Sequence, residues 1–147
     1  MKKRIFFFLF LSAAFVAPLV KAQTEAQRID LCVKAAGDVR FLSDYPVQLS
    51  GSGSGEKAPV FRKAIALHKG NRYRLTLCTD EESAGEGVLQ LFDENKLVGS
   101  SFNTKTGTDY QSFDFDCRKS VFYILFISFK EGKEGSAVAI LSHVKTL

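Results

Sequence analysis

Site chemistry needs a base beside a nucleophile, a metal-ligating cluster or a phosphate cradle, and this 147-residue chain has few candidates for any of them. His68 and His143 are its only histidines. A hydroxyl or thiol nucleophile must sit within hydrogen-bond reach of such a base. No Gly-x-Ser-x-Gly elbow is present: the run Gly51-Ser52-Gly53-Ser54-Gly55 has glycine at its centre. As a phosphate cradle the run also fails, because Glu56 or Ala58 stands where the third glycine belongs. Its composition predicts a flexible loop. No residue is therefore assigned a catalytic role, and the protein is expected not to be an enzyme.

Three acidic groups could hold a cation: Asp80, Glu81 and Glu82 with Glu86; Asp93, Glu94 and Asn95; and Asp114 with Asp116. Calcium takes clustered loop oxygens, which makes the 80–86 group its best site, although EF-hand spacing is absent. Asp114 and Asp116 alternate with Phe113 and Phe115, the ordinary pattern of a strand with one wet face. Apart from calcium no cofactor is expected. Tyr45, Phe102 and Tyr110 lie near loops and could stack on an extracellular polysaccharide, in a chain that has no tryptophan.

The elements that position these residues follow from hydrophobic period. Residues 24–36 predict a short helix: Thr24 and Gln27 have capping-box spacing, and Ile29, Cys32, Val33 and Ala36 fall on one face. Gly37 supplies the stop. From Val39 onward the period shifts to two, with apolar alternation in 38–49, 60–67, 72–78, 88–93, 97–102, 110–117 and 136–144. Pro46 marks an edge strand. Residues 121–129, VFYILFISF, are apolar on both faces and predict a central strand covered on both sides. The helix stripe is expected to cover the Phe122, Ile124 and Phe126 face, the alternative being an exposed docking patch for a protein partner. Turn signals about every ten residues predict a mainly β protein, an antiparallel β-sandwich or jelly roll of seven to eight strands with one short N-terminal helix.

The N-terminus reads as an export signal. Lys2, Lys3 and Arg4 precede an apolar run over 5–20, and Val20-Lys21-Ala22 supplies a cleavage site before Gln23. The run is shorter than a spanning helix and contains Pro18. The expected organisation is a signal over 1–22, a helix over 23–37 and a sandwich over 38–147, in an exported protein, periplasmic or extracellular. No later segment suffices to span a membrane. The first 22 residues hold four of the twenty basic residues and none of the sixteen acids, so residues 23–147 balance to zero net charge. That removes the electrostatic case for nucleic acid.

Three cysteines in an exported chain predict one disulfide and one leftover thiol. None has Cys-x-x-Cys spacing. Cys78 and Cys117 both end strands, and a bridge between them is expected, with Cys32 as a small buried apolar group on the helix.

From about Phe61 to Val144 the order of features resembles the bacterial pre-peptidase C-terminal domain and related jelly-roll modules. The matching pieces are Leu67-His68-Lys69-Gly70-Asn71-Arg72-Tyr73 followed by RLTL, then VLQLFDENKLVGSS, FDFDC, FYILFISF, a Gly-containing turn and a last strand. The resemblance implies an appendage that aids targeting or substrate contact, although no peptidase is present in this chain. The combined expectation is a non-enzymatic binding module contacting a protein partner or an extracellular polymer. A small secreted hydrolase with a spatially assembled site, or a structural accessory of the cell envelope, are the alternatives.

Overall fold

The structure is a computed structural model that describes residues 23–147, so the export signal expected over 1–22 lies outside the described residues. The chain begins with helix α1 (Glu25–Ala35). Thr24 accepts from the Gln27 amide, and the Gln27 side chain accepts from the Thr24 amide, completing the capping box. Gly37, with φ of 86°, turns the chain out of the helix in a conformation that a Cβ would disfavour.

Ten strands follow. β1 (Arg40–Leu49), β2 (Phe61–Leu67), β3 (Asn71–Thr79), β4 (Gly87–Asp93) and β5 (Lys96–Ser100) precede a two-residue ribbon of β6 (Phe102–Asn103) and β7 (Thr108–Asp109). β8 (Ser112–Cys117), β9 (Val121–Phe129) and β10 (Gly135–Thr146) complete the chain. The small ribbon accounts for the excess over the seven or eight strands expected. The eight longer strands form two antiparallel four-stranded sheets, ordered β1-β10-β3-β8 (sheet A) and β2-β9-β4-β5 (sheet B). Apart from the β4–β5 hairpin, which stays within sheet B, successive long strands cross from sheet to sheet in the order of a jelly roll. Pro46 lies in β1 at the edge of sheet A, where its missing N–H costs no ladder bond.

The inward faces form one core. Leu75, Leu77 and Tyr73 of β3 meet Leu89 and Leu91 of β4 and Tyr123, Leu125 and Ile127 of β9. These are the positions that alternation selects, since successive strand residues point to opposite faces.

Two expectations about the helix and cysteines need correction. Cys32 is bonded to Cys78, with Cα atoms 5.8 Å apart, and Cys117 is free and buried. The 78–117 bridge fails on parity. Cys78 points outward from sheet A, while Cys117 points inward beside Tyr123. Cys32 is thus a cross-link rather than an isolated thiol.

The same parity decides where the helix sits. Cys32 and Ala36, with Ile29 and Val33 beside them, pack on Val138 and Ile140, on the outer face of sheet A. The helix therefore does not cover the outer face of β9, and that central strand is buried on one side only.

Candidate functional site

Among the described residues neither histidine ring is hydrogen-bonded to a serine, threonine or cysteine. The His68 amide donates to the Tyr73 hydroxyl at 3.0 Å. The His143 ring pairs with Asn71 Oδ1 at 3.0 Å and stands edge-on to Tyr73. Cys117 lies against the Lys119 carbonyl at 3.1 Å and the Tyr123 hydroxyl at 3.8 Å. Burial, and then the hydrogen bond with Cys117, push the Tyr123 phenol up to about 12, so it keeps its proton. Its hydroxyl donates to the Lys119 carbonyl at 3.1 Å, a structural tie at the end of β9.

The loop acids and one aromatic converge at the opposite end of the sandwich. Asp80, Glu81, Glu86, Asp109, Tyr110 and Gln111 line a cleft of about 460 Å³ between the β3–β4 loop and the chain entering β8. Tyr110 is 51 % exposed there. Glu82 lines a neighbouring cleft instead. Two of the acids are already neutralised. Asp80 is paired with Arg28 of α1, which also donates to Ser136 at 2.8 Å. Asp109 is paired with Lys130, whose ammonium lies 4.0 Å from the centre of the Phe102 ring. Among the described residues no group of three or more His, Cys, Asp or Glu is arranged to hold a metal.

The three aromatics do not form one platform. Tyr110 faces the cleft, and Phe102 is half-buried beneath Lys130. Tyr45 is on β1, at the far edge of sheet A from β8, packed against the core.

A different surface stands out. On the outer face of sheet B, Phe122, Ile124 and Phe126 form the middle row. Their partners in β2 are Ala66, Ala64 and Arg62, two of them too short to shield a phenylalanine. On the other side Phe92 meets Phe126 with ring centres 4.7 Å apart, and Leu97 pairs beside Phe92. Arg62 lies over the Phe126 ring at 5.0 Å. Phe122 is 70 % exposed and Leu97 46 %. Folding alone gives no return for so much apolar surface left in water.

Alternation already puts Phe122, Ile124 and Phe126 on one face. Phe92 and Leu97 went unrecognised as part of it. The signal available was the tight turn at Glu94-Asn95, which sets these two residues side by side. Asp109 of the cleft, and Arg28 that pairs with its Asp80, had no sequence signal at all.

No protein-family model matches this chain, and no curated protein matches it in sequence.

Proposed function

We propose that this is an exported, non-enzymatic binding module that engages a protein partner through the outer face of sheet B. The observation that carries the reading is the apolar strip ending at Phe122, the most exposed of the large hydrophobic side chains among the described residues. Contiguous exposed apolar surface with polar edges is characteristic of protein contacts, and aromatic anchors dominate their energetics. The strip is a poor match for a sugar polymer, which is gripped by polar groups around stacked rings. The likeness to a jelly-roll appendage module agrees with a contact role.

The test is recovery of partners from the protein's own envelope fraction. Phe122→Asp should fold with an unchanged melting point and lose a partner that the wild type and Phe122→Leu both retain. Undiminished recovery by Phe122→Asp and by Leu97→Asp would refute the proposal.

A further inference from the structure

The two ends of the sandwich carry opposite charge. At the Phe122 end, the turns over 68–70, 94–95 and 118–120 lie together: the Lys69 amide donates to Ser120 Oγ at 2.8 Å, and Lys119 pairs with Asp93. Lys69, Lys96 and Arg118 are exposed there and, among the described residues, in no ion pair; they outnumber Glu94, the acid of those turns that is likewise exposed and in no ion pair. At the other end, the loops over 80–86 and 130–134 interlock through Lys130 N to Glu86 O and Gly85 N to Glu134 O, both 2.9 Å. Glu81, Glu82, Glu86 and Glu134 are exposed and likewise in no ion pair among the described residues. Equal numbers of acids and bases over 23–147 hide this polarity from the composition.

Each end also offers complementary shape. The basic end projects Val121, Phe122 and Leu97. The acidic end is concave and holds exposed Tyr110 in its cleft.

We infer that a partner of the Phe122 end is a second copy of this chain, seated with its acidic cleft on the first copy's basic, apolar tip. The inference rests on the proposed role of the Phe122 surface. Charge complementarity selects the pairing. A two-fold pairing of Phe122 ends would bring Lys69, Lys96 and Arg118 of both copies together, and like charges in contact oppose it. A head-to-tail contact leaves one end of each kind free, so it builds open chains rather than closed dimers. With zero net charge over 23–147, no overall repulsion opposes that growth.

Sedimentation velocity on the purified exported protein tests this. The average mass should rise with concentration past that of a dimer, and should fall toward the monomer in about 0.5 M salt, where the Debye length is only a few ångströms. Lys96→Glu with Arg118→Glu should raise the dissociation constant at least about tenfold, and so should Glu81→Lys with Glu86→Lys. Mixing the two double variants should restore association, because each then offers the charge the other's end has lost. Four results would overturn the inference: a monomer at every concentration, assembly that stops at a dimer, insensitivity to salt, or no rescue on mixing. A monomer that still recovers an envelope protein through Phe122 would sink self-association while leaving the binding-module reading intact. A monomer that instead sediments with phosphatidylglycerol vesicles would overturn both in favour of a lipid surface.

Discussion

Cys32 and Cys78 join α1 to the outward face of β3, closing a loop with a sequence separation of 46 residues. In the chain-entropy view, a loop of that length restricts the unfolded chain by about 4 kcal/mol. Cys78→Ala should therefore lower stability by about 2–4 kcal/mol in denaturant titrations, whereas Cys117→Ala should leave the bridge intact. Thiol counting should find one reactive group in denatured, unreduced protein and three after reduction. Loss of the bridge on mutating Cys117 would refute the pairing.

The seat of the helix can be read by truncation. Val138 and Ile140 are each 1 % exposed beneath α1. Ile140→Ala should cost about 2–5 kcal/mol in the full protein and much less in a chain lacking residues 23–37, where the site is already wet. Phe122→Ala should change little in either background. Equal effects of Ile140→Ala in both chains would show that the helix does not cover sheet A.

Gly135 is sterically required. A Cβ there would lie 2.1 Å from the ring of Phe129, which is only 4 % exposed and has no room to swing aside. Gly135→Ala should destabilise the protein by about 1–3 kcal/mol. Adding Phe129→Leu should recover part of that loss in thermal melts; an unaltered Gly135→Ala melting point would contradict the packing described.

Arg72 and Asp116 face each other across β3 and β8, with two hydrogen bonds of 2.5 and 2.8 Å. The hydrogen bond from Arg72 is the main reason the Asp116 carboxyl sits below its ordinary 3.8. A depressed folded-state pKa gives stability that is present above the unfolded value and lost as pH falls through the folded one. The contribution is small, since the pair is about one-third exposed. Asp116→Asn should melt slightly below wild type at neutral pH, and the gap should close as pH drops below 3.8. A gap that persists in acid would assign the difference to packing instead.

Much of the architecture was legible in the residues themselves. The capping pair Thr24 and Gln27, the helix stop at Gly37, and the inward set Tyr73, Leu75, Leu77 all follow from spacing, because backbone geometry fixes period locally. Even the outward direction of Cys78 was encoded by its parity against Leu77. What sequence could not decide was which surface lay opposite. The helix stripe is apolar enough to cover either sheet; only the jelly-roll order places β10 and β3 next to each other beneath it, bringing Cys78 within reach of Cys32 and leaving Phe122 in the open. The separation of charge has the same origin. Lys69, Lys96 and Arg118 are far apart along the chain, as are Glu81 and Glu134, and a total that sums to zero carries no direction. Strand lengths and crossovers gather the basic turns at one end and the acidic loops at the other. Local pattern is set by bond geometry between neighbours, whereas a surface is made by residues that meet only after the sheets have closed over their core.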